Sequence, residues 1–136
     1  MPTPALYVEA ALSIPLFLMG VSHLVQRRMW LAFFQELAAK GPTGVIWRTF
    51  MLELWPAVLI VCFHQVWSGP ALLVTLYGHL LMAKIAVSVV FPAAGLHALN
   101  LADRAGPWAF APAGVVLTGL SIVCFINARP ILFGGA

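Results

Sequence analysis

At 136 residues, 62% hydrophobic and only 8% charged, the chain has too few ionised side chains to cover a water-facing surface. A soluble domain uses about 25% for that purpose. The net charge of +3 comes from seven Lys/Arg against four Asp/Glu. Apart from Lys84, those basic residues cluster at the ends of apolar runs, which suits lipid phosphates and topology and argues against nucleic acid as a partner.

The runs predict an all-α protein: an integral membrane four-helix bundle in a single domain, with a short interfacial helix between helices 1 and 2. The first run covers about residues 5–25, where 21 residues at about 1.5 Å each reach across the hydrocarbon core. No Lys or Arg precedes it, and it is too long for the apolar part of a signal peptide, so it is expected to stay as a membrane helix. Glu9 lies near its start, Pro15 in its middle and His23 near its end. Gln26-Arg27-Arg28 closes it.

Residues 29–40 read as a short amphipathic helix. Trp30, Phe33, Phe34 and Leu37 recur at i, i+3, i+4 and i+7 on one face. That face is expected to lie down on the lipid, with packing on the end of the bundle as the alternative. Gly41-Pro42 is a helix stop.

The second run covers about residues 45–66 and carries Arg48, Glu53, Pro56 and His64. Arg48 is expected to snorkel to the headgroups. Glu53 and His64 are eleven residues apart, about three turns, so they share a face with Ala57 and Ile60. The short link Trp67-Ser68-Gly69-Pro70 makes the second and third runs antiparallel neighbours. The third run covers about residues 71–91, with Tyr77, His79 and Lys84 inside, and Pro92 kinks or ends it. The fourth covers about residues 108–127 and has no charge inside. Its small-residue rows (Ala109 and Ala113, Gly114 and Thr118, Ala111 and Gly119) suit either internal packing or a face for another subunit.

Lys/Arg counts put the first and third links in the cytoplasm and both termini on the outer, periplasmic side. Cys62 and Cys124, the only cysteines, fall near one predicted side. Buried or lipid-facing thiols and a disulfide are both open.

A charge inside hydrocarbon is costly unless it is paired. Glu53 and Lys84 each lie about 14 residues from the shared link, so both sit about 20 Å deep on adjacent helices. An ion pair between them, with Tyr77 above it, is the expected arrangement. The bland alternatives are a snorkelling Lys84 or a protonated Glu53. Glu9, His64 and His79 gather towards the outer side, at expected depths of about 7, 4 and 13 Å. That spread gives no metal site. A bis-histidine haem on His64 and His79 would have to bridge depths that differ by about 9 Å. Glu53, Lys84, Tyr77, His79, His64 and Glu9 form the candidate intramembrane polar cluster. Arg27, Arg28, Arg48 and Arg104 form a basic cytoplasmic rim, suited to anionic lipid. The chain has no catalytic nucleophile pattern, no phosphate-binding glycine loop and no metal motif.

The stretch FLMGVSHLVQRRMWLAFFQELAAKGPTG, followed by Glu53 in the next helix, resembles small bacterial four-helix proteins of the DoxX-like kind. Gly20 and His23, Phe34 and Leu37, Gly44 and Glu53 are the matching positions. FHQVWSGP, with a Lys in the following helix, is similar to an uncharacterised group of small four-helix bacterial proteins. The resemblance covers about 90 residues on motifs of low specificity. It implies the bacterial inner membrane and, through some relatives, proximity to quinone chemistry. With no reactive groups, minimal loops and a small-residue face on the fourth run, an accessory or assembly subunit of a larger membrane complex is the leading expectation, with lipid, other subunits or further copies of the chain as partners. A binder or oxidoreductase component for a quinone or lipid-like molecule is the alternative. Proton or small-ion movement along Glu9, His64, Glu53 and Lys84 is a third reading. The cofactor, if any, is left open between quinone and haem.

Overall fold

The computed structural model describes residues 3–134. Seven α-helices follow one another: α1 (Pro4–Val25), α2 (Arg27–Ala39), α3 (Pro42–Arg48), α4 (Trp55–Phe63), α5 (Leu72–Val90), α6 (Pro92–Ala105) and α7 (Phe110–Phe133). A π-helical turn, Thr49–Leu54, joins α3 to α4 without a break, and a 3₁₀ turn, Pro107–Ala109, leads into α7. Four helical stretches are long and apolar enough to cross a membrane: Pro4–Val25, Pro42–Phe63, Leu72–Val90 and Pro107–Phe133.

The second stretch begins and ends about a turn earlier than its hydropathy suggests. Pro42 starts it because a proline at the first helical position loses no hydrogen bond. His64 leaves the helix at φ −116° and ψ 82°, which frees its side chain to reach across the bundle. Phe91, before Pro92, is likewise pushed to an extended conformation, so α5 and α6 are separate helices. The fourth stretch runs on through Pro130 to Phe133, beyond the expected end.

The π turn has a local cause. Pro56 carries no N–H for the Leu52 carbonyl, and its ring crowds that carbonyl, so the helix widens just before it.

α1 packs most extensively on α7, and α4 on α5; contacts of α1 with α4 and of α5 with α7 close the ring. Val8, Leu12, Leu16, Ile60, Val74, Leu120 and Cys124 fill its centre. Gly20 lets the α1 and α7 backbones approach closely. A Cβ there would run into Thr118 Oγ1 and the Gly114 carbonyl. The Gly114/Thr118 row is thus internal packing, whereas Gly119 faces outwards, with open space where its Cβ would be.

The start of α1, the last turns of α7 and the 64–71 link share one end of the bundle. At the other end α2 and α6 pack together as a cap. Trp30 and Leu37 are buried there, with Trp30 Nε1 donating to Ser22 Oγ (2.9 Å) and stacking on His23 at 4.1 Å. Gln35 Nε2 donates to Asp103 Oδ1 at 2.6 Å, tying α2 to α6. The apolar face of α2 is therefore largely taken up by protein, and Phe33 is the part of it left exposed.

Candidate functional site

The stripe Glu53, Ala57, Ile60, His64 turns inwards along its whole length, with Ala57, Ile60 and His64 fully buried. Its two polar ends belong to two different clusters. Both lie among helices whose outer faces are apolar, so both need their partners within the protein.

The first cluster is built around Glu53. Lys84 Nζ on α5 lies 2.5 Å from Glu53 Oε1. Arg48 Nε lies 3.5 Å from the same oxygen, and an Arg48 Nη donates to Ser88 Oγ at 3.5 Å. The sequence reading puts Arg48 in the basic rim, snorkelling to the headgroups. Instead it is 2% exposed. The π turn explains the difference. In a regular helix five residues turn the chain about 500°, which leaves Arg48 and Glu53 about 140° apart. The i→i+5 geometry of a π turn stacks residues five apart. Two buried atoms here, Arg48 Nε and Glu53 Oε2, have no hydrogen-bond partner among the described residues. With Arg48 and Lys84 both cationic, the cluster carries two positive charges against one carboxylate. Tyr77 packs beside it with Leu54, Ala57 and Leu81. Lys84 is half exposed on the flank of the bundle.

The second cluster lies at the end that holds the termini. His64 Nε2 is 2.9 Å from Glu9 Oε1, and its Nδ1 is 2.9 Å from Thr75 Oγ1. Thr75 Oγ1 donates to the Val66 carbonyl at 2.7 Å, and Asn127 Nδ2 donates to Glu9 Oε1 at 3.1 Å. One network thus ties α1, α4, α5 and α7 together. Glu9, His64 and Thr75 are fully buried. A cleft of about 350 Å³, lined in part by Thr3, Glu9, Val66, Ser68 and Asn127, opens above it.

His79 does not join this network. Its Nδ1 bonds the Thr75 carbonyl at 2.9 Å and its ring lies 5.2 Å from Trp67. Glu9 and His64 meet, although their expected depths differ, because His64 sits just past the end of α4. Thr75 and Asn127 were not singled out from sequence. Neutral polar residues are unremarkable in an apolar run, and only their placement beside His64 and Glu9 marks them.

Compared with known families, curated proteins and solved structures, the chain matches none.

At the cap end, the Arg27 guanidinium lies 3.9 Å over the Trp108 ring. Arg27 and Arg28 line a cleft of about 470 Å³ with Trp108 and Pro107. Arg104 is exposed on α6. Cys62 is exposed, Cys124 is buried, and both are free thiols. Among the described residues no three His, Cys, Asp or Glu side chains are placed to hold a metal ion.

Proposed function

We propose that this chain is a multi-pass protein of a bacterial inner membrane, acting as a non-catalytic accessory or assembly subunit of a larger complex. The observation that carries the reading is the outer surface of α7. Pro112, Val115, Gly119, Ile122 and Ile126 follow one another at helical spacing, and all are exposed. With open space beyond Gly119, that surface accepts the close approach of another helix. The membrane reading rests on the breadth of exposed apolar side chains, from Ile14, Phe17 and Leu18 on α1 to Leu73, Leu80 and Val87 on α5. Soluble monomers rarely expose so much contiguous apolar area. The resemblance to DoxX-like proteins supports the same reading. The positive-inside rule places α2 and α6 in the cytoplasm, α2 at the interface, and both termini outside.

Native mass spectrometry of gently extracted membranes tests the proposal. The 14.7 kDa chain is expected to fly with a larger protein. A bare monomer retained in native-like lipid would count against it.

A second reading is favoured by the buried Arg48 Nε and Glu53 Oε2, which make no hydrogen bond among the described residues. A quinone carbonyl or a lipid oxygen entering beside Lys84 would accept from the arginine, and the hydroxyl of a quinol or of a lipid-like molecule would donate to the carboxylate. The bundle would then be a binding module, with Glu53, Lys84 and Tyr77 at its polar centre. Copurification of such a molecule with the wild type and its loss from Glu53→Gln and Lys84→Met is the expected pattern. Equal retention by all three would remove the reading.

A further inference from the structure

The hydrogens of the Glu9–His64 cluster can be counted from its geometry. The Thr75 hydroxyl has one hydrogen and three neighbours that could take it: the Val66 carbonyl at 2.7 Å, His64 Nδ1 at 2.9 Å and the His64 carbonyl at 3.3 Å. The Val66 contact has the usual length of an O–H···O bond and is the shortest of the three. With its hydrogen given to Val66, the hydroxyl can only accept from Nδ1, so Nδ1 carries a hydrogen. The 2.9 Å contact between Nε2 and Glu9 Oε1 then needs a proton of its own, or two lone pairs would face each other in a buried place. That proton makes the pair either imidazolium with carboxylate or imidazole with carboxylic acid. Both forms contain the same atoms and have no net charge.

We propose that Glu9 and His64 form a proton-binding site that opens to the cleft at the termini end. The site is distinct from the Glu53 cluster and does not depend on the function proposed above. Glu9 is almost wholly buried, yet it lines the cleft, and Oε2 has no hydrogen-bond partner among the described residues. The ligand is a proton, exchanged with water or a buffer base entering between Ser68 and Asn127.

Release of the proton has a defined structural result. The pair becomes neutral imidazole with carboxylate, and the remaining imidazole hydrogen must lie on Nε2 to face Glu9. Nδ1 is then bare, so the Thr75 hydroxyl turns from the Val66 carbonyl to Nδ1. The 64–71 link loses a tether from α5 whenever the site is empty of its proton. The groups facing the pair from the packed elements are Thr75 from α5, with His79 bonded to its carbonyl, and Cys124 and Asn127 from α7.

The test is a pH titration of ¹⁵N-histidine-labelled protein in nanodiscs, read by NMR at His64 together with proton release by back-titration. Nδ1 is expected to carry hydrogen at neutral pH. On raising the pH Nδ1 should lose its hydrogen while Nε2 carries the one that remains, with release of about one proton per chain. Glu9→Gln should abolish the tautomer exchange, because a glutamine amide donates to Nε2 and leaves Nδ1 protonated. A His64 that holds hydrogen on Nε2 alone at neutral pH, or releases no proton, overturns the proposal. So does an exchange that persists in Glu9→Gln. The wild-type titration decides the question by itself if the variant does not fold.

Discussion

Arg48 and Glu53, five residues apart on one continuous helix, touch because the turn between them is π-helical. Their Nε–Oε1 separation is 3.5 Å. Proline chemistry eight positions beyond Arg48 thus decides whether a buried cation has a counter-ion.

Replacing Pro56 by Ala supplies the missing N–H to the Leu52 carbonyl, and the widened turn is expected to relax to a regular helix. The coupling between Arg48→Met and Glu53→Gln, measured by a double-mutant cycle in thermal unfolding, should be sizeable in the wild type. It should shrink towards zero in the Pro56→Ala background. An undiminished coupling would mean that Pro56 does not set the register.

Glu53→Gln should destabilise much more than Lys84→Met. The first leaves a buried guanidinium without its anion, a loss of about 3–5 kcal/mol for buried pairs. Lys84→Met removes a half-exposed cation from an apolar flank and leaves Glu53 still beside Arg48, so its cost is expected to be smaller. Denaturation midpoints in detergent give the comparison, and similar losses for the two would contradict the burial asymmetry.

Gly20 and Gly119 should respond oppositely to a larger side chain. Gly20→Val forces atoms into Thr118 and the α7 backbone and should lower stability by about 1–3 kcal/mol. Gly119→Leu meets open space and should leave the melting temperature of the isolated chain nearly unchanged. If the outer surface of α7 is a subunit interface, the same Gly119→Leu should abolish co-extraction with the partner.

A membrane-permeant maleimide should label Cys62 and spare Cys124, giving about one label per native chain and two after denaturation. Rapid labelling of both in the folded protein would show that the ring core around Cys124 is loose.

Much of this architecture is legible in the sequence. The four apolar stretches follow from hydropathy, and the Glu53–Lys84 contact follows from counting residues away from a short shared link. That count works because both helices start from the same turn. It fails for Glu9 and His64, where depth along an ideal helix ignores the chain leaving α4 at His64. Arg48 is misplaced for a related reason. A helix start read from hydropathy puts it in the first turn, while Pro42 starts the helix earlier and the π turn rotates it inwards. The direction of the α2 face escapes periodicity altogether. Trp30 and Leu37 recur correctly, but the pattern does not say whether lipid or protein covers them, here α1 for Trp30 and α6 for Leu37.

The most extensive helix pairing among the described residues joins the first long helix to the last. During synthesis, α1 emerges with Gly20 and Glu9 already in place, but Thr118 and Asn127 follow only after about a hundred more residues. Until α7 is made, the carboxylate of Glu9 lacks its amide donor and the α1 groove stands open. The nascent chain must therefore be held in an incomplete state for most of its translation. A ribosome stalled before residue 110 should yield a species that quality-control proteases recognise and the finished protein conceals.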